Sequence, residues 1–333
     1  MNRRTFTAAL MAQMARAQGK RERIENLTAA GAVNNPFGLR KGPDGDLYIC
    51  EIGNHRISKL NLQTHALITV IGGLKEPYDL RFDARGTLYF VDMPAHQVLS
   101  LDAITGKAKV VAGTGSAGFS GDDGPAVEAE LKQPHSIAFD RAGRLLICDI
   151  GNHRIRMVDL GSGKISTFAG TGEAGATKDG AKREGTPLNG PRAMDFGQDG
   201  ALYLVLREGN RVYRLDAKTD TYRHIAGTGE KGYEGDGGDA RLAKLSGPKA
   251  ISCAADGAIY IADTESHTIR KISAAGAIET VAGTGKRGDG PTGDPRQCGL
   301  ARPHGVFSGG AFGYTSGAVF IADSEANQIR RIS

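Results

Sequence analysis

The sequence contains no apolar run of 18 or more residues, which excludes a transmembrane helix. It also lacks a C-x-x-C pair, an H-E-x-x-H motif, a phosphate-binding loop and a nucleophile elbow. None of these common signatures therefore identifies a function. The cysteines are widely spaced and no disulfide is expected among them: Cys50, Cys148, Cys253 and Cys298.

The formal charge of +5 lies entirely in the first 23 residues, where six basic residues accompany one acidic residue. Residues 24–333 sum to zero. A nucleic-acid-binding body normally carries a basic patch and a basic excess. The charge distribution therefore argues against a nucleic-acid partner.

The N-terminal stretch has the features of an export signal. Arg3-Arg4-Thr5-Phe6 resembles a twin-arginine motif, a short apolar stretch follows, and Ala15-Arg16-Ala17 is an A-x-A-like cleavage site. We expect residues 1–17 to direct the protein to the periplasm or outside the cell. The alternative is a cytoplasmic protein with an unstructured N-terminus.

A repeating unit occupies the remainder of the chain and is clearest in residues 134–158. It consists of short strands of alternating apolar residues, separated by turns rich in Gly and Asp. An acidic residue follows the second strand in five of the six units, and Leu206 stands there in the fourth. A His or Asn begins the third strand and is expected to bond the acidic residue or the turn backbone. The prolines that open the units are Pro36, Pro77, Pro134, Pro191, Pro248 and Pro303.

The sixth unit ends at Ser333 after its third strand, whereas a matching fourth strand precedes the first proline, at residues 23–31. This arrangement predicts an all-β fold: a six-bladed β-propeller of four-stranded antiparallel blades, closed by the N-terminal strand. Residues 24–333 then form a single domain. We expect a monomer.

Two segments carry a family resemblance. Gly53-Asn-His-Arg-Ile57 and Gly151-Asn-His-Arg-Ile155 resemble the Asn-His-Leu motif of the NHL repeats. The resemblance implies a propeller and is specific for the repeat. It leaves function open, because NHL propellers bind proteins, RNA or small ligands and are occasionally enzymes.

Four connections between blades carry Gly-rich inserts, which strand alternation places on the same face as the opening prolines. Binding usually occurs in such loops on a rigid scaffold, although they could equally shield the blades. Their Asp-Gly pairs could hold calcium, but the spacing does not match an EF-hand and suits tight turns. The inserts span residues 113–131, 170–188, 227–245 and 283–300.

The residues that follow the opening prolines should surround the mouth of the central channel. They differ from blade to blade, whereas a purely structural position would keep one residue type. Four potentially cationic groups at one opening favour an anionic ligand. A channel that holds only water or a structural ion is the alternative. The predicted ligand-binding residues are Phe37, Tyr78, Asp79, His135, Arg192, Lys249 and His304.

Pro134-His135 and Pro303-His304 resemble the Pro-His segments of the peptidyl-hydroxyglycine amidating lyases, which are NHL propellers with a zinc held by channel histidines. The resemblance implies His135 and His304 as zinc ligands. A third ligand is missing, since Arg192 and Lys249 occupy the equivalent places, and catalytic zinc usually has three protein ligands.

Two function classes follow from these observations. The first is an exported binding module for a small anionic ligand, a carbohydrate or a protein partner. The second is a metal-assisted lyase or lactonase, for which the candidate catalytic residues are Tyr78, His135, Arg192, Lys249 and His304. An RNA-binding surface is a third hypothesis. The zero net charge of residues 24–333 argues against it.

Overall fold

The computed structural model describes residues 22–309 and 317–333, and the predicted export segment, residues 1–17, lies outside this range. The described residues form six four-stranded antiparallel sheets, as predicted. Each of blades 1 to 5 uses four consecutive strands, the first of which begins at the repeat proline. In the described part of the chain, no helix is long and apolar enough to cross a bilayer.

The strands are numbered in chain order. Blade 1 comprises β2 (Pro36–Lys41), β3 (Leu47–Glu51), β4 (Arg56–Leu60) and β5 (Leu67–Gly72); blade 2 comprises β6 (Pro77–Phe82), β7 (Leu88–Asp92), β8 (Gln97–Leu101) and β9 (Ala108–Ala112). Blade 3 comprises β10 (Pro134–Phe139), β11 (Leu145–Asp149), β12 (Arg154–Asp159) and β13 (Lys164–Ala169); blade 4 comprises β14 (Pro191–Phe196), β15 (Leu202–Leu206), β16 (Arg211–Asp216) and β17 (Thr221–Ala226). Blade 5 comprises β18 (Pro248–Cys253), β19 (Ile259–Asp263), β20 (Thr268–Ile272) and β21 (Ile278–Ala282); blade 6 comprises β22 (Gly305–Phe307), β23 (Val319–Asp323), β24 (Gln328–Ile332) and β1 (Ile24–Asn26).

Short 3₁₀ turns lie between the second and third strands of several blades and in the inserts. They span Met93–Ala95, Ala126–Glu128, Ile150–Asn152, Ala240–Leu242, Thr264–Ser266, Pro295–Gln297 and Ser324–Ala326. The apolar core lies between neighbouring sheets, where the alternate inward residues of one blade pack against those of the next.

The N-terminal strand closes the ring, which confirms the prediction. β1 pairs antiparallel with β24, with Ile24 opposite Ile332, and Leu27 N donates to Ile329 O at 2.8 Å. Ile24 and Leu27 are each only 1% exposed. Without β1 the outward edge of β24 would be unpaired.

The His and Asn residues that begin the third strands link adjacent blades, which corrects their expected role. Each has a positive φ, between 46° and 57°, and ends the turn before its strand. In five of the six blades the side chain then contacts backbone just before the proline of the next blade, rather than the acidic residue of its own blade. The exception is His153, whose Nδ1 has no partner among the described residues. His96 Nδ1 accepts from Gln133 N at 3.1 Å, and Asn327 Oδ1 accepts from Asn35 N at 2.7 Å. A role in the turn is therefore combined with a contact between blades.

The inserts cover the outer strand of the blade that follows them. One backbone hydrogen bond from each insert shows the arrangement: Asp123 N to Ile165 O (2.7 Å), Gly180 N to Tyr222 O (2.7 Å), Gly237 N to Ile278 O (2.8 Å) and Gly293 N to Ile24 O (2.9 Å). The inserts therefore protect edge strands that would otherwise be open to pairing with other chains. This observation favours the shielding role over a binding role.

Three inserts are also fixed by an aspartate that pairs with a fully buried arginine of the third strand. The pairs are Asp122 with Arg156 (2.7 Å), Asp236 with Arg270 (2.7 Å) and Asp289 with Arg330 (2.5 Å). In blade 4, Tyr213 replaces the arginine and donates to a carbonyl of the insert. Asp122 and Asp236, two of the carboxylates considered for calcium, are thus engaged by guanidinium groups, which argues against a calcium site at these positions.

Candidate functional site at the channel mouth

The residues after the repeat prolines converge on one opening, as the repeat predicted. They line a single cavity at the mouth of the central channel, together with residues further along the first strands, deeper in the channel. None of the described residues that line this cavity belongs to an insert. The six residues of the mouth are Phe37, Tyr78, His135, Arg192, Lys249 and His304.

One side of the mouth is an arc of rings from blades 6, 1, 2 and 3. The Phe37 ring stacks on His304, with centroids 4.0 Å apart, and lies 4.9 Å from Tyr78. Tyr78 in turn meets His135 edge to face at 4.8 Å. Burial raises the Tyr78 pKa, so the phenol is protonated at neutral pH. This arc is packed within itself and forms a rigid wall.

The opposite side carries two cations, Arg192 of blade 4 and Lys249 of blade 5. Arg192 is 6% exposed and its guanidinium carbon lies 5.3 Å from the centroid of the Tyr78 ring. It donates no hydrogen bond and forms no ion pair within residues 22–309 and 317–333. Burial lowers its pKa to about 10, so the group is charged at neutral pH.

Lys249 is held by two neighbours. Its Nζ lies 2.9 Å from His304 Nε2 and 3.4 Å from Glu265 Oε1. Burial, followed by the charge of Arg192, lowers the Lys249 pKa to about 8. The ammonium is therefore mostly charged at pH 7 and loses its charge within the next two pH units.

The hydrogen bonds fix the histidine tautomers. His304 Nδ1 lies 2.8 Å from the carbonyl oxygen of Arg302, which can only accept, so Nδ1 carries the hydrogen. Nε2 is then an acceptor, and it is already used by Lys249. His135 Nδ1 donates in the same way to the Gln133 carbonyl, at 2.7 Å. Burial, followed by the charge of Lys249, lowers the His304 pKa, so this ring is neutral at pH 7.

These residues do not fit a zinc centre. The lone pair of His304 Nε2 is engaged by an ammonium group, and a zinc ion beside Lys249 and Arg192 would be repelled. Among the described residues, no group of three or more His, Cys, Asp or Glu could hold a metal ion. The zinc site implied by the Pro-His resemblance therefore finds no support in the geometry.

The floor of the cavity consists of two arginines that the sequence analysis missed, Arg40 and Arg81. Arg81 pairs with Asp79 at 2.6 Å and reaches blade 4 to donate to Met194 O at 3.2 Å. Arg40 donates to Val306 O of blade 6 at 3.2 Å and lies 3.9 Å from the Asp195 carboxylate of blade 4. Together they bridge the channel below the mouth.

Asp79 was expected to contribute to ligand binding, but its carboxylate is occupied by the protein. It accepts from Arg81, from Ser136 Oγ at 2.7 Å and from Ile137 N at 3.3 Å. The sequence contained a signal for the floor residues, because the fifth position of the first strand also varies between blades. It is occupied by Arg40, Arg81, Ala138, Asp195, Ser252 and Phe307.

The family-model comparison supplies the family. The Teneurin NHL domain model matches residues 25–182 and 198–299, which is more than half of the chain. The chain belongs to this NHL domain family. A curated relative is Protein SUPPRESSOR OF QUENCHING 1, chloroplastic, from Arabidopsis thaliana, 26% identical over 243 residues, which are 70% of this chain and 22% of the relative. The NHL chain thus spans less than a quarter of that relative's length.

Solved structures share the fold. An auxiliary nutrient binding protein from Bacteroides thetaiotaomicron has a TM-score of 0.71 at 15% identity, covering 94% of this chain and 76% of its own. A virginiamycin B lyase from Staphylococcus aureus has a TM-score of 0.61 at 16% identity, covering 94% and 99%. At these identities the similarity establishes the propeller architecture alone, so the function must be argued from this chain's own residues.

Proposed function

We propose that this NHL propeller is a binding module that takes a small anionic ligand at the channel mouth. The observation that carries the proposal is the Arg192 side chain, which is 6% exposed and lines the cavity with no hydrogen-bond or ion-pair partner in the described residues. A cation that loses most of its contact with water without gaining a partner is costly. An anion would provide the missing partner, and Lys249 lies on the same side of the mouth to assist it.

The known structures contain precedents for both function classes. One neighbour is described as a nutrient binding protein and another as a lyase. An enzyme remains the alternative, with Tyr78, His135, Arg192, Lys249 and His304 close together. We rank binding above the metal-assisted lyase or lactonase because the residues do not fit a metal. Carbohydrate-bearing and protein partners are compatible with the proposal if they present an anionic group.

Anion affinity should fall as the pH rises from 7 to 9. A bound anion stabilises the Lys249 ammonium and so raises the Lys249 pKa above its free-state value of about 8. The contribution of Lys249 is therefore complete below the free-state pKa and is lost as the pH rises from there through the higher bound-state pKa. Titration calorimetry with acetate, chloride, sulfate and phosphate at pH 7 and 9 should show a weakening of about 10-fold for the anion that binds best.

The Lys249→Met variant should bind that anion about 10-fold less tightly at pH 7, with much less dependence on pH. Lys271→Met provides the matched control, because Lys271 lies in the same blade but pairs loosely with Glu279 at 4.0 Å, away from the mouth. The control should bind like the unaltered protein. Binding that is equally strong in Lys249→Met, or no anion binding at all, would contradict the proposed function.

We also propose that the protein is exported, on the basis of the twin-arginine-like segment. Replacing Arg3 and Arg4 together with Lys should retain the full chain in the cytoplasm of a host with twin-arginine export. The unaltered chain should be recovered from the periplasm or medium with an N-terminus at Gln18. Fractionation and N-terminal sequencing test this. Equal distribution of both proteins would show that the segment does not act as a twin-arginine signal.

A further inference from the structure

Three of the four Arg and Lys side chains that line the mouth cavity lie within 4 Å of a carboxylate. Arg81 pairs with Asp79 at 2.6 Å, Arg40 lies 3.9 Å from Asp195, and Lys249 lies 3.4 Å from Glu265. Arg192 has no carboxylate partner among the described residues. Glu265 is shared with Arg302, at 2.6 Å, so the positive excess at the cavity is at least one charge. The single charge of a monovalent anion is enough to provide a partner for Arg192.

The size of the cavity also limits which ligand can bind. The free space between the arginine floor and the mouth is about 30 Å³. A single water needs about 10–15 Å³ measured in this way, so the space accommodates two water-sized groups. The two oxygens of a carboxylate match this space. A phosphate or sulfate could place only part of its four oxygens in this space and would leave the others outside the mouth.

The available hydrogen-bond donors limit the choice of ligand as well. A guanidinium group presents paired N–H donors whose spacing suits the two oxygens of a carboxylate. Lys249 has three N–H donors and uses two of them, toward His304 and Glu265, so one is free to reach a ligand oxygen. A spherical anion such as chloride would satisfy the charge but offers only one acceptor atom to the paired N–H donors.

We propose that the occupant of the mouth cavity is the carboxylate group of a monoanionic organic acid, held by Arg192 and Lys249 above the Arg40–Arg81 floor. The inference rests on the proposed function and narrows it to one ligand class. The organic part of the ligand would extend outward past Tyr78 and His135, which border the opening. The floor prevents it from passing deeper into the channel.

Titration calorimetry of the full-length protein tests this with four probes: acetate, methyl acetate, chloride and phosphate. We expect one acetate per chain, at least 10-fold tighter than chloride or phosphate, and no binding of the neutral ester. Arg192→Gln should weaken acetate about 10- to 100-fold, the range expected for a charge-assisted hydrogen bond. Arg223→Gln is the control, because Arg223 is exposed on the outer strand of the same blade, and it should bind acetate normally.

A second variant separates the effect of the positive charge at residue 192 from the effect of the paired N–H donors. Arg192→Lys keeps the positive charge but removes the fork, so acetate should weaken about 10-fold while chloride changes less than threefold. Chloride or phosphate binding as tightly as acetate, through Arg192, would overturn the carboxylate assignment and leave the proposed anion site in place. If no probe binds in a manner that depends on Arg192 or Lys249, both proposals fail. A melting curve for each variant confirms that it is folded.

Discussion

Removal of residues 1–31 should lower the melting temperature by more than about 10 °C relative to a protein that lacks only residues 1–21. The longer truncation deletes β1, which supplies the outer strand of blade 6 and closes the ring. Ile24 and Leu27 are each 1% exposed, and burying an aliphatic side chain contributes about 1.5–3 kcal/mol. Loss of the strand also exposes the edge of β24, whose backbone groups now pair with residues 24–26.

Scanning calorimetry or far-ultraviolet circular dichroism measures this effect. The shorter truncation is the matched control, since it removes only residues that precede the described strands. Equal melting temperatures for the two truncations would contradict the closure of the ring by β1. If the longer truncation does not fold, Ile24→Ala provides the graded test, with an expected loss of about 2–5 kcal/mol in the free energy of unfolding.

Arg270→Met should reduce the free energy of unfolding by about 3–5 kcal/mol at pH 8, the usual effect of removing one partner of a buried ion pair. Arg270 is 0% exposed, pairs with Asp236 of the insert at 2.7 Å and lies 3.9 Å from the buried Asp263. The substitution releases the insert and leaves the Asp263 carboxylate buried without its cation. Lys271→Met, on the adjacent residue, removes only a partly exposed pair and should cost less than about 1 kcal/mol.

The penalty in Arg270→Met should be smaller at pH 5 than at pH 8. Burial raises the Asp263 pKa to about 6 in the intact protein, above its value in the unfolded chain. A group shifted in this direction stabilises the fold below the unfolded-state pKa, and that contribution is lost as the pH rises through the folded-state pKa. Loss of Arg270 raises the Asp263 pKa further, so the carboxyl is neutral at pH 5 and charged at pH 8.

Urea denaturation followed by circular dichroism at the two pH values tests the Arg270 prediction. The chain has no tryptophan, so indole fluorescence is not available as a probe. A penalty below about 1 kcal/mol at both pH values would show that the arginine does not fix the insert. A penalty that is larger at pH 5 than at pH 8 would show that the uncompensated Asp263 charge is not its cause.

Most of the architecture followed from short-range patterns. The opening prolines, the alternating strands and the turn residues are local features, and their sixfold recurrence predicted the propeller and its closure. The position after each proline also predicted correctly which residues surround the mouth, because equivalent repeat positions occupy equivalent places in a ring. Divergence at that position, from Phe37 to Arg192, was therefore a usable signal for the candidate site.

The sequence by itself thus determined the repeat, the blades, the closing strand and the composition of the mouth. The tertiary structure alone decided which charges are paired. The Asp79 carboxylate is occupied by Arg81 and Ser136, His304 Nε2 accepts from Lys249, and Arg192 has no partner among residues 22–309 and 317–333. The bond from Arg81 to Met194 joins residues 113 positions apart. Contacts across the channel depend on side-chain reach and on competition among several donors at one point, and no pattern within a repeat encodes them.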